Sequence, residues 1–175
     1  MPIDRAHDEV DLEERRVPRA SLHDSPDLSP EPGWVPIDFA AFGGRGASFV
    51  SGAGNGNRIR VRYFRCEPEG TLAGKVWFGP DAEGRPGHAH SGSLAAVLGE
   101  GMELAAWLSG FDVVPVTDTV HFKRLLPLGL VCTLGSWVSI ADGHEVRTRG
   151  LLAGPDGQAF ADAEGLYAIQ DQPPG

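Results

Sequence analysis

His88 and His90 stand one residue apart in the run GRPGHAHSGSLAAVLGE, residues 84–100, which passes from glycines and histidines straight into an apolar helical pattern. Such a stretch can hold a metal, perform catalysis or simply lead a loop into a helix. A His-x-His pair on a strand presents both rings to one side, as metal sites do, and then wants a carboxylate about four residues further on. Leu94 and Ala95 occupy that region, and His121 is the one obvious extra ligand. No metal is therefore expected.

The elements around this run must position it. In RIRVRYFR, from Arg58, the residues Ile59, Val61 and Tyr63 face one way and the arginines 58, 60 and 62 the other, which predicts a half-buried strand. TLAGKVWFG (71–79) reads as its hairpin partner. SLAAVLGEGMELAAWLSG (93–110) carries helical spacing at Leu94, Val97, Leu98, Leu104, Ala105 and Leu108, with Gly110 as a stop. Four strand-like runs follow at 114–126, 130–140, 144–153 and 158–170, separated by PLG, ADG and GPDG turns. In the first of them Thr117, Thr119 and His121 share one face, either bordering a pocket or open to solvent. This order predicts an α+β fold, a curved antiparallel sheet of about six strands wrapped around one long central helix. The small residues Ala95, Ala96, Gly99, Gly101, Ala105 and Ala106 suit a helix buried nearly all round.

Composition narrows the function. The chain has 175 residues, 41% of them hydrophobic, enough for one core. Residues 1–33 carry nine acids against four arginines, and the remaining residues fifteen acids against eleven basic side chains, which together give the net charge of −9. That balance argues against nucleic acid. No stretch has the roughly 18–20 apolar residues of a membrane span, and the acidic N-terminus does not suit a leader, so a cytoplasmic protein is expected. Cys66 and Cys132 read as core thiols rather than a disulfide or zinc pair. The prolines and charges of residues 1–36 predict a disordered acidic tail, with a short helix over 8–16 as an alternative. A Gly-rich lead-in over 37–57, a folded domain over 58–170 and a short tail over 171–175 complete the division. Within the lead-in, GGRGASFVSGAGNGN (43–57) matches no phosphate-binding loop.

The loop EGRPGHAHSG, the helix start SLAAVL, the segment VTDTVHFKRLLPLG and the closing ADAEGLYAI resemble the hotdog-fold acyl-CoA thioesterases, in the phenylacetate-pathway and 4-hydroxybenzoyl-CoA thioesterase-like branch. The resemblance covers about residues 58–170 and implies a homodimer or a dimer of dimers. An acyl-CoA thioester would bind at the subunit interface, with coenzyme A as part of the substrate and no other cofactor. It further implies that a backbone N–H at the helix start, here that of Gly92, polarises the thioester carbonyl. The matching segment is His90, Ser91 and Gly92: Gly92 keeps the second glycine of the pattern, and Ser91 replaces the first while retaining its N–H. His90 is implied to support the loop and the nearby amide, while His88 lies outside the pattern, as a solvent-facing loop residue or a contact for the acyl group.

The same resemblance places an acid nine residues after the histidine, where this chain has Gly99. Glu100 follows, displaced about 100° around the helix, and Glu103 lies one turn beyond Gly99. Either carboxylate is a candidate to serve in its place. Thr117 aligns with an assisting strand hydroxyl, and Lys123 and Arg124 with basic residues that would either hold the coenzyme A phosphates or stand as solvated strand-end charges. Met102 and Trp107 are candidates for the acyl pocket or, equally, for the core. Two functions follow: a thioester hydrolase acting on a small or medium acyl-CoA, or a catalytically impaired hotdog protein that binds an acyl-CoA or related ligand without turnover.

Overall fold

A computed structural model of the chain describes residues 25–38, 49–51 and 56–170. Seven strands form one antiparallel sheet: β1 (Trp34–Pro36), β2 (Ile59–Cys66), β3 (Leu72–Phe78), β4 (Val113–Phe122), β5 (Val131–Ala141), β6 (Glu145–Ala153) and β7 (Ala159–Ile169). Their spatial order is β1-β2-β3-β5-β6-β7-β4. Among the described residues one α-helix, α1 (Ser91–Leu108), lies between β3 and β4 in the chain, after a short 3-10 turn at Pro80–Ala82, and packs across β3, β5, β6, β7 and β4. The six strands and the helix expected from alternation and spacing are all present, within two residues at their ends except that β4, expected to run to 126, stops at Phe122. β1 is additional. It pairs Trp34 with Cys66 and Pro36 with Phe64, so the ordered sheet begins inside the segment expected to be a disordered tail. The helix considered over 8–16 and the segment 171–175 lie outside the described residues.

The burial pattern explains why α1 and the sheet fit. In β6, Val146, Thr148, Gly150 and Leu152 turn inward while the residues between them face outward. Leu94, Val97, Leu98, Met102, Leu104, Ala105 and Ala106 form the buried stripe of α1, and no residue from Ser93 to Leu108 is exposed. Glycines permit the close approach. A Cβ on Gly101 would stand 2.7 Å from Leu134 Cδ2, and one on Gly150 would stand 3.0 Å from Leu98 Cδ2 and 3.2 Å from Met102 Cγ. Met102 is fully buried, as core rather than pocket wall, and Trp107 is partly buried against the same core.

Among the described residues β4 lies at one edge of the sheet, paired only with β7. Val114, Val116 and Phe122 are 40%, 57% and 51% exposed there, which for large apolar side chains marks an edge that lacks a cover in the single chain. Cys132 is a core thiol, and burial pushes its pKa up to about 12. Cys66, at the end of β2, is only half-buried.

Candidate functional site

The loop before α1 is braced from several sides. The His90 N–H donates to Ala82 O at 2.8 Å, Ala89 N–H to Leu126 O at 2.9 Å, and Gly87 N–H to the Glu83 carboxylate at 2.7 Å. Gly84 packs against His90, and a Cβ there would lie 2.8 Å from His90 Cα. His90 is the N-cap of α1, with φ −65° and ψ 136°. Its Nδ1 accepts the Gly92 N–H at 2.9 Å, and its carbonyl accepts the Ser93 N–H at 2.9 Å. A Cβ on Gly92 would stand 3.0 Å from that nitrogen, so the glycine makes room for the capping ring. The N–H of Ser91 finds no acceptor among the described residues. It is the exposed donor at the positive end of the helix dipole, where a developing negative charge is best placed.

His88 is not a solvent-facing residue. It is 8% exposed, with Nδ1 2.9 Å from Pro86 O and its backbone bridged to Pro127. The two histidine rings thus serve separate local hydrogen bonds, and no cluster of three metal-ligating side chains occurs among the described residues.

The acidic residues of α1 diverge. Glu100 turns toward β2, where its Oε1 accepts the Tyr63 hydroxyl at 2.8 Å and its Oε2 accepts the Val50 N–H at 3.1 Å. Tyr63 is buried, which raises its pKa well above the usual phenol value, with the charge of Glu100 adding to the shift. Glu100 therefore ties the helix to β2 and to the lead-in. Glu103 lies on the other side, where its charge is felt at Tyr167 of β7.

Gly99 faces β4, and the space beside it is taken by a carboxylate. A Cβ on Gly99 would stand 3.2 Å from Asp118 Oδ2, and one on Gly165, its register partner in β7, 3.0 Å from Asp118 Oδ1. The Tyr167 hydroxyl donates to Asp118 Oδ1 at 3.2 Å and has the Gly99 carbonyl oxygen as a second acceptor at 3.4 Å. Desolvation raises the pKa of Asp118 above the usual carboxylate value, and the Tyr167 hydrogen bond opposes that rise. Burial, with Asp118 adding to it, pushes the Tyr167 phenol far up, so Tyr167 stays a donor.

Thr117, Thr119 and His121 do share one face of β4, but it is the face turned away from α1. Their register partners Leu166, Glu164 and Asp162 alternate with the inward-facing Gly165 and Ala163. Thr117 and Thr119 line an outer-face groove with Arg147, Arg149 and Glu164. Lys123 pairs with Asp162 at 2.9 Å, and Arg124 lies 3.9 Å from the Asp156 carboxylate and 4.6 Å over the Phe160 ring. Both cations would have to exchange these partners to hold a phosphate.

Comparison with solved structures gives the architecture its name. Protein RHA08564, described as a thioesterase superfamily protein, superposes with a TM-score of 0.66 at 24% identity over 90% of this chain and 71% of its own. The chain has the hotdog fold. A second hotdog neighbour, a hypothetical thioesterase protein from Streptococcus pneumoniae TIGR4 solved with coenzyme A, gives a TM-score of 0.58 at 14% identity over 67% of this chain and 89% of its own. In sequence, the hotdog chain is 31% identical to the acyl-coenzyme A thioesterase THEM5 of Mus musculus over 90 residues, 51% of this chain and 36% of the relative. It thus spans about a third of the length of that relative. No protein-family model matches the chain. The resemblance noted from the sequence, to hotdog-fold thioesterases, holds in both comparisons.

The residues that sequence reasoning passed over are Asp118 and Tyr167. For Asp118 the signal was parity. If Thr117, Thr119 and His121 share one face, the opposite face reads Val116, Asp118, Val120, Phe122, an acid set among apolar residues.

Proposed function

We propose that this chain hydrolyses acyl-CoA thioesters at a site shared between two copies of itself. The observation that carries the reading is the start of α1, where the His90 ring takes up the Gly92 N–H and leaves the Ser91 N–H for a ligand. The amide that meets the thioester oxygen is then that of Ser91, and Gly92 serves by admitting the cap. Attack on a thioester carbon builds negative charge on that oxygen, and an amide held at a helix N-terminus lowers the barrier to it. The oxygen of water bonds to the carbonyl carbon, the C–S bond breaks, and the products are a carboxylic acid and the coenzyme A thiol.

The need for two copies follows from distance. Ser91 and Gly99 are eight residues apart on α1, about 12 Å at 1.5 Å per residue. A thioester carbonyl cannot touch both ends of that span within one chain. Pairing across the edge strand β4 would cover Val114, Val116 and Phe122 and bring the helix start of one copy toward the Gly99 region of the other. A small or medium acyl group is favoured, because Gly101 and Gly150 bring the middle of α1 into close contact with the sheet. The substrate class is supported by the acyl-CoA thioesterase relative and by the coenzyme A seen in the hotdog neighbour.

Gly99 itself, a residue without a side chain, favours the second reading, binding without turnover. Thiol release from a panel of short, medium, branched and aromatic acyl-CoAs decides between the two. Multiple-turnover release supports hydrolysis, whereas calorimetric binding of the same compounds with no release establishes a binding protein.

A further inference from the structure

We propose that Asp118, on strand β4, is the catalytic carboxylate of this site, fitted into the space that Gly99 leaves open, with Tyr167 as its positioning residue. The inference rests on the hydrolytic reading above. Three observations carry it. The carboxylate lies between two glycines, with Oδ2 3.2 Å from a Cβ position on Gly99 and Oδ1 3.0 Å from one on Gly165, so any side chain at either position would crowd it. It is held from behind by the Tyr167 hydroxyl, which also reaches the carbonyl of Gly99. Its position in β4 turns it toward α1, at an edge of the sheet where it remains exposed in the single chain, open to the copy that would bring the substrate.

Such a group has one evident use in thioester hydrolysis. Water is a weak nucleophile near neutral pH, and a positioned base typically contributes about 10²–10⁴-fold. Asp118 takes one proton from water as the water oxygen bonds to the thioester carbon. The electron pair of the C=O bond moves to oxygen, at the Ser91 N–H of the other copy. When the intermediate collapses, the C–S bond breaks and the proton passes from Asp118 to the departing sulfur. Atoms and charge balance with water as the only co-reactant. Among the described residues, the titratable groups near Asp118 are the neutral hydroxyl of Tyr167 from β7 and Glu103 from α1, whose charge reaches Tyr167. Glu103 would disfavour the ionised carboxylate and Tyr167 favours it.

The test uses the full chain and the acyl-CoA that it hydrolyses best. Asp118→Asn, with Asp118→Ser as a second variant should the first fail to fold, is expected to lose about 100-fold or more in kcat with KM changed by less than about threefold. Gly99→Asp combined with Asp118→Ala returns the carboxylate to the helix and is expected to recover at least a tenth of wild-type kcat. Tyr167→Phe removes the donor that stabilises the carboxylate, so the acid limb of its kcat/KM profile should move to higher pH. A folded Asp118→Asn that hydrolyses at near the wild-type rate overturns the assignment while the thioesterase reading stands. A wild-type chain that binds acyl-CoAs without releasing thiol overturns both.

Discussion

Asp118 Oδ2 stands 3.2 Å from the point where a Cβ on Gly99 would lie, so the helix lacks a side chain at the place where the adjoining strand supplies a carboxylate. The relation is complementary. A helix interior ordinarily disfavours glycine by about 1 kcal/mol relative to alanine, and an acid on an inward-facing strand position is ordinarily costly. Each departure makes room for the other, and both lie one side chain away from Tyr167.

Gly99→Ala should separate stability from activity. The gain in helix propensity is at most about 1 kcal/mol, and the contact with Asp118 takes back part of it. We expect a slightly raised melting temperature with kcat several-fold lower, measured by calorimetry and thiol release.

Gly165→Ala should destabilise the fold outright. A Cβ there would overlap the Tyr167 ring, stand 2.7 Å from Thr148 Oγ1 and press on Asp118. Overpacking of this kind typically costs about 1–3 kcal/mol, which denaturant unfolding would read as a lower midpoint.

Glu100→Gln should act on stability rather than on chemistry. The carboxylate accepts two hydrogen bonds, from Tyr63 and from Val50, and the amide can accept at only one of its two positions. A loss of about 1–2 kcal/mol in unfolding free energy is expected, with kcat of the folded variant within about threefold of wild type. A large fall in kcat with unchanged stability would return Glu100 to the catalytic role suggested by the sequence resemblance.

The raised pKa of Asp118 fixes the sign of a pH effect on stability. Desolvation disfavours its charged form in the fold, so between the unfolded and the folded pKa the unfolded chain has released more of this proton. That contribution to stability therefore falls as pH rises through the window. Asp118→Asn is expected to melt higher than wild type near about pH 7, with the difference closing below about pH 4, where the wild-type carboxyl is protonated in both states. Thermal melts of both proteins across that range provide the check.

The fold was legible because the residues of each element agree with one another. Alternation in Arg58–Arg65 and 144–153, helical spacing over 93–110 and the PLG, ADG and GPDG turns all describe the same sheet and helix. β1 escaped notice because three residues among prolines and charges carry no period; its place is fixed by register with Phe64 and Cys66. The start of α1 was legible as a loop entering a helix, but not which amide is spoken for, since that depends on where the His90 ring turns. The partner of Glu100 was hidden for a related reason: one step along a helix changes the neighbour a side chain meets, here Tyr63 on a distant strand. Asp118 was written into the parity of its strand, yet its meaning required the register that sets it opposite Gly165 and beneath Gly99.

The central claim, a hydrolytic site completed by two copies, is tested most directly by mixing two inactive chains. Ser91→Pro removes the proposed amide donor at the first residue of α1, a position where proline suits a helix, and His90 before it already has the extended backbone that proline requires. Asp118→Asn removes the proposed carboxylate. Each variant alone should be nearly inactive, whereas an equal mixture, refolded or co-expressed so that subunits exchange, should recover about a quarter of wild-type thiol release: half of randomly paired dimers are mixed, and each mixed dimer holds one intact site of two. A mixture no more active than its components, with exchange verified, would contradict the shared site.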